Sequence, residues 1–236
     1  MEEYMRLRLY YREMLSLADV VHYNSSLTRN VYERFFVPAK SVLFPVTHEN
    51  IEDHRREKKF SDYKRLSYLG PQGCGKGFYL LKDALDEVWQ KNKNFELNIF
   101  FHVAAPAPYM RSHDGYSYDQ LGKIMENTDV LVVSSVLIDT FGYPVPEALS
   151  YGVPVIVSGT VGAKDIIPKD CGIVVDDMNS RKLAEAIISL PADRLSQMNR
   201  AILEKYQVLT IEVMNDQLMR QCYNGDTGRQ EQAEEK

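Results

Sequence analysis

Two loops of this sequence bring together residue types that do chemistry. The first runs Gly70-Pro71-Gln72-Gly73-Cys74-Gly75-Lys76-Gly77, directly after an apolar run that ends at Leu69. A strand, a glycine-rich turn and a lysine at a helix start make an anion site, because free backbone N–H groups, the helix dipole and a mobile cation converge there. Gly70 to Lys76 also has the G-x4-G-K spacing of a magnesium-dependent P-loop. That motif needs Ser or Thr next, to hold the metal. Here the next residue is Gly77, and no later apolar strand ends in a clear magnesium-binding Asp. Phosphate binding by Gly75 and Lys76 therefore survives as an expectation, and a P-loop hydrolase stays only as a distant third reading, against which Gly77 speaks. On this loop alone, glycines that merely shape a turn and a solvated Lys76 remain an alternative.

The second loop follows the apolar run Asp129 to Ser134 and continues through Asp139-Thr140-Phe141-Gly142-Tyr143-Pro144-Val145-Pro146-Glu147. Proline lacks an N–H and fits the first helical turn, so Pro144 and Pro146 put a helix start close to Gly142. Asp139 and Glu147 then flank that start, able to address two ends of one extended ligand, and the dipole tolerates a diphosphate between them. Read more plainly, Glu147 is a favourable first-turn acid and Asp139 an ordinary loop residue.

The elements that position these loops are legible from the hydrophobic pattern. Short runs at Leu66 to Leu69, Leu97 to Val103, Asp129 to Ser134, Pro154 to Val157 and Gly172 to Val175 alternate with helical periodicity. The helices are expected over Lys76 to Gln90, Tyr118 to Glu126, Glu147 to Tyr151 and Arg181 to Leu190, the last capped by Asn179 or Ser180. Such alternation predicts βα units on a parallel sheet buried on both faces, with ligands at the carboxyl ends of the strands. Ahead of this lie an amphipathic helix from Glu2 to Ala18, a short strand at Val20 to Tyr23, a helix begun by Asn24-Ser25-Ser26 and running to about Phe35, and a strand at Ser41 to Pro45. The charged run Glu52 to Lys59 reads as a solvated loop or helix face. Helices near Asp193 to Lys205 and Ile211 to Tyr223 follow, and the last residues, 225–236, read as a disordered tail with nothing to bury.

Composition sets the class. The 236 residues, 44% hydrophobic and 26% charged, are those of an ordinary globular protein. A net charge of -5 argues against nucleic acid as a partner. No apolar run approaches the roughly 20 residues of a membrane span, and the N-terminus has no secretory signal pattern. Three scattered cysteines, Cys74, Cys171 and Cys222, point away from a disulfide framework and toward a reducing compartment, the cytoplasm. His22, His48, His54, His102 and His113 show no metal-ligand spacing.

Against that background the stretch DTFGYPVPEALSYGVPVIVSG, from Asp139 to Gly159, resembles the signature of retaining, nucleotide-sugar-dependent glycosyltransferases of the GT-B fold, the group-1 or family-4 type. GPQGCGKG resembles that family's phosphate loop. VGAKDIIPKDCGIVVDDMNSRKLAEAI and DGYSYDQLGKIMENTDVLVVSS resemble its closing run and the approach to its signature strand. The resemblance implies an α/β fold, the Rossmann-like C-terminal half of a GT-B enzyme. Residues 1–40 would be the end of the acceptor domain and a linker, 41–190 the nucleotide-sugar-binding domain, and 191–224 the C-terminal helices. It implies transfer of a sugar from a nucleotide diphosphate donor to an acceptor hydroxyl, as in polysaccharide biosynthesis.

By position, Lys76 would hold the donor diphosphate and Asp139 would meet hydroxyls of the transferred sugar, these two being the catalytic candidates. Thr140, Phe141, Gly142 and Tyr143 would offer backbone groups, and Glu147 would accept both ribose hydroxyls. Tyr116, in the segment Gly115 to Tyr118, would lie near the base. No metal or other cofactor is expected. The sequence departs from the pattern in three ways: Pro71 or Gln72 replaces the family arginine, Asp139 replaces the usual Glu, and the acceptor half is missing. The expected partners are therefore a nucleotide-sugar and either a separate acceptor domain or a second copy, with any membrane contact peripheral and made through such a partner. A non-catalytic nucleotide-binding or protein-interaction module derived from the same fold is the alternative.

Overall fold

A computed structural model describes residues 2–223. The N-terminal part consists of helix α1 (Glu2–Ser16), strand β1 (Val21–Tyr23), helix α2 (Ser26–Tyr32) and strand β2 (Ser41–Leu43). β1 and β2 pair in parallel. α2 starts where the sequence places it, because the Ser25 side chain accepts the Thr28 N–H as an N-cap, but it stops at Tyr32, short of Phe35.

The remainder is one six-stranded parallel sheet. Strands β3 (Lys64–Tyr68), β4 (Phe95–Ile99), β5 (Met110–Ser112), β6 (Val130–Val133), β7 (Val155–Ser158) and β8 (Gly172–Val175) lie in the order β5-β4-β3-β6-β7-β8. Helices α3 (Phe78–Lys91), α4 (Tyr118–Glu126), α5 (Pro144–Ser150), α6 (Ser180–Ile188), α7 (Ala192–Lys205) and α8 (Ile211–Leu218) cover it, with a 3₁₀ turn at Gly162–Ile166. The expected Rossmann-like α/β fold is therefore present. α3 and α6 bury Leu81, Leu85, Leu183 and Ile187 on one face, against Leu66, Leu97 and Ile156. The opposite face packs Leu131, Val155 and Val157 on Leu121, Val145 and Leu149 of α4 and α5. Each fully buried aliphatic chain contributes about 1.5–3 kcal/mol, so two such layers fix the strand order and hold the loops at the strand ends.

Several expectations need correction. The strand predicted over Leu97 to Val103 runs instead from Phe95 to Ile99. Phe100 and Phe101 are apolar because they pack on rings, Phe100 on His113 and Tyr116 and Phe101 on Phe78, not because they extend the ladder. β5 falls inside the segment read as a loop, since Met110-Arg111-Ser112 is a polar edge strand of three residues. The run Glu52 to Lys59 is a loop, but Arg55 and Lys58 are not solvated. Arg55 donates to the carbonyls of Ile202, at 3.2 Å, and Tyr206. Lys58 donates to those of Met125 and Thr128, at 2.5 and 2.8 Å. These cations close the carboxyl ends of α7 and α4, where unpaired carbonyls carry the negative end of the dipole. The tail expected at 225–236 lies outside the described residues.

A candidate donor cleft at the sheet's switch point

The chain runs from β3 outward to β4 and β5, then returns to place β6 on the other side of β3. The carboxyl ends of β3 and β6 are therefore the topological switch point, where open α/β sheets form their ligand crevice. The glycine-rich loop leaves β3 and the Asp139 loop leaves β6. A cleft of ≈ 430 Å³ opens between them, lined among others by Gly70, Lys76, Asp139, Thr140, Phe141 and Tyr143.

Three contacts set the glycine-rich loop. The buried Tyr68 hydroxyl donates to the carbonyls of Pro71 and Lys76 at 3.0 and 3.1 Å, tying the two ends of the loop together. The Gly75 carbonyl accepts from the N–H groups of Val136 and Leu137 at 2.9 and 3.1 Å, joining this loop to the one after β6. Gly77 takes a left-handed conformation, φ 78°, and a Cβ there would stand 1.7 Å from the Ser134 carbonyl oxygen. Only glycine fits. The residue that breaks the P-loop pattern is thus dictated by the close approach of two backbones.

This joint places the Lys76 Nζ 2.5 Å from Asp139 Oδ2. The structure therefore brings the two catalytic candidates into one ion pair, where the sequence had suggested separate duties. Lys76 is about half exposed and Asp139 mostly covered. The ammonium end of the pair is open to solvent, which screens and weakens it, so a dianion can compete with Asp139 for the lysine.

The loop after Asp139 is held from below. Asp139 N–H donates to the Thr160 carbonyl and its own carbonyl accepts from Gly162 N–H, each at 2.9 Å. Ser25 and Thr28 at the start of α2 donate to the Thr140 carbonyl at 2.7 and 3.1 Å. Phe141 is buried among Val145 and Val161. The carbonyls of Thr140, Phe141 and Gly142 are thereby occupied, whereas the N–H groups of Thr140, Phe141, Gly142 and Tyr143 have no acceptor among the described residues. α5 starts with proline at Pro144, as expected, and Val145 N–H is spent on Gly142. What this segment offers an anion is the run of N–H groups before the helix, more than the helix itself.

Glu147, the acceptor expected for the ribose hydroxyls, is buried beside the loop. It is 2% exposed. His48, from the coil after β2, stands with Nε2 3.2 Å from Glu147 Oε1. Burial raises the Glu147 carboxyl above its ordinary range, and His48 acts against that shift. Tyr118 lies beside it, and the Tyr116 phenol is pushed up to about 12 by burial and by the Glu147 charge. Tyr116 lines a neighbouring cavity of ≈ 410 Å³ together with Phe100 and His113. Sequence reasoning missed the His48–Glu147 contact, Tyr68 as the tie of the phosphate loop, and the Ser25–Thr140 latch. All three join residues by folding, and only the Ser25 cap leaves a local signal.

The six-stranded parallel sheet, covered by helices and with a crevice at its switch point, defines a Rossmann-like domain. Residues 112–208 match the family model of the glycosyl transferases group 1, and the fold is that of the GT-B glycosyltransferases. Sucrose-phosphate synthase of Spinacia oleracea is 23% identical over 119 residues, 48% of this chain and 11% of that protein. The solved sucrose-phosphate synthase from Thermosynechococcus elongatus superposes with a TM-score of 0.69 at 18% identity, over 92% of this chain and 61% of that one. HepE of Anabaena, solved with UDP and glucose, gives 0.68 at 15% identity, over 90% and 65%. This chain thus spans about a tenth of the curated relative and under two thirds of these solved chains. Among the described residues no helix is long and apolar enough to cross a membrane.

Proposed function

We propose that this chain supplies the donor half of a retaining glycosyltransferase and binds a nucleoside diphosphate sugar in the cleft between β3 and β6. The observation that carries this reading is the Lys76–Asp139 pair at the switch point, beside four N–H groups free to donate. A diphosphate would displace the Asp139 carboxylate from Lys76 and accept from that backbone. Asp139, released, would accept hydroxyls of the sugar, and Glu147 those of the ribose. The lysine and backbone dipoles would then stabilise the charge of the departing diphosphate without a metal, the kind of fixed electrostatic assistance that lowers such barriers most. HepE was solved with UDP-glucose and TarM of S. aureus with UDP, which makes uracil the first base to try.

Turnover in this reading needs a second wall to hold the acceptor. Pro71 or Gln72, where the family resemblance expects an arginine, favours a second reading in which the cleft binds nucleotide without turnover. A charge-assisted hydrogen bond of that kind is worth about 1.5–3 kcal/mol. A thermal-shift panel of UDP, ADP, GDP and their sugars tests the proposal. Stabilisation by one diphosphate series, rising with ligand concentration as mass action requires, supports it. No shift with any member refutes it. Donor hydrolysis by the same preparation separates the catalytic from the binding-only reading.

A further inference from the structure

The contact between His48 and Glu147 does more than fill space. Asn50 N–H donates to His48 Nδ1 at 3.3 Å. The ring proton is therefore on Nε2, which points at Glu147 Oε1 at 3.2 Å and donates to it. The imidazole is fixed in rotation as well, with its centre 5.2 Å from the ring of Tyr118 at the start of α4 and 5.0 Å from that of Tyr143 before α5. Three segments remote in sequence thus converge on one carboxylate. The groups acting on Glu147 are His48 and the phenols of Tyr116, Tyr118 and Tyr151, with no lysine or arginine among them in the described residues.

We propose that His48 is the positioning residue of the pentose subsite: its Nε2–H pins one oxygen of Glu147, leaving the other oriented as an ionised acceptor for the paired hydroxyls of a ribose. This rests on the reading of Glu147 as the ribose carboxylate. Tyr118 also hydrogen-bonds Glu147, but a buried carboxylate stripped of its His48 donor takes up a proton more readily and turns from a pure acceptor into a mixed group. Hydrogen bonds to the ionised form are roughly twice as strong as neutral ones. Removing the His48 donor should therefore weaken the response to ribose hydroxyls while leaving phosphate contacts at Lys76 untouched.

The test compares UDP with 2′,3′-dideoxyuridine diphosphate by titration calorimetry on the full chain. Wild type should prefer UDP by about tenfold or more. His48→Phe keeps a ring between the two tyrosines but has no donor, and should bring the ratio close to one. His48→Gln, which can still donate, should restore most of it. A His48→Phe variant with the wild-type ratio overturns the proposal. Glu147→Gln with the wild-type ratio, or a wild type without any preference, overturns the ribose reading beneath it, which keeps the two failures distinct. Imidazole nitrogen spectra of folded wild type give a second readout that does not depend on any variant folding. The His48 Nε2–H signal should shift on adding UDP and not on adding the dideoxy compound, and equal responses to both would count against the proposal.

Discussion

Glu147 is a carboxylate removed from water, and at that scale binding and stability pull in opposite directions. Because burial raises its folded pKa above the unfolded value, the folded chain holds the proton more tightly. Its contribution is then favourable at low pH and is lost as pH climbs from the ordinary carboxylate range through the raised folded value. Glu147→Gln removes that cost. The variant should melt higher than wild type at neutral pH, by about 2–4 °C for each kcal/mol recovered. The difference should shrink toward pH 4, and UDP affinity should fall about tenfold or more. Melting curves across pH, with calorimetry at pH 7, check both halves. A variant that melts lower and binds normally would make Glu147 a structural helix-start acid. Spacing marked Glu147 as a candidate, but His48 lies 99 positions away, and nothing in either neighbourhood announces the pairing.

At the scale of elements, the site depends on how two loops are locked to each other. Gly77→Ala should destabilise the fold by at least ~1–2 kcal/mol from the left-handed conformation alone. The clash with the Ser134 carbonyl adds to that, because both groups are backbone and neither can turn away. Urea denaturation measures it, and a loss under about 0.5 kcal/mol, the scatter of ordinary surface changes, would show that the loops give way freely. Ser25→Ala removes the N-cap of α2 and the shorter of the two side-chain bonds to the Thr140 carbonyl. Loss of a cap costs about 0.5–2 kcal/mol, and nucleotide affinity should fall in parallel if Thr140 belongs to the proposed donor loop. Unchanged affinity at reduced stability would uncouple α2 from the site. The helix starts and the buried strands were legible because caps, prolines and aliphatic runs act locally. β5 was not, being a polar edge strand that relies on its neighbour. Arg55 and Lys58 were missed for the opposite reason, since a charged run looks solvated until helix ends are found beneath it.

At the scale of the whole molecule, α1 carries an exposed apolar surface. Tyr4, Leu7, Tyr11 and Met14 form a stripe along α1, and all are exposed, as are Leu9, Tyr10 and, on α8, Val213. Met214 is half buried. A large apolar side chain left in water forgoes about 1.5–3 kcal/mol, and contiguous patches of this kind mark interfaces. The purified chain should therefore associate as its concentration rises, with little donor turnover while monomeric. Leu7→Lys with Tyr11→Lys should restore a monomer in sedimentation velocity. A wild-type monomer at all concentrations with robust transfer would contradict this. The fold class followed from the alternating strand and helix pattern, whereas the open stripe of α1 needed coordinates, since amphipathic periodicity does not say whether a partner is present.

The central claim is that Lys76, at the switch point, reads a diphosphate. Calorimetric titration of UDP and uridine into wild type and Lys76→Ala, with and without magnesium, tests it most directly. The account predicts that the substitution weakens UDP binding by about tenfold or more, the worth of a charge-assisted contact, leaves uridine nearly unchanged, and that magnesium alters neither. Equal UDP affinity in the two proteins, or UDP binding that strictly requires magnesium, would contradict it.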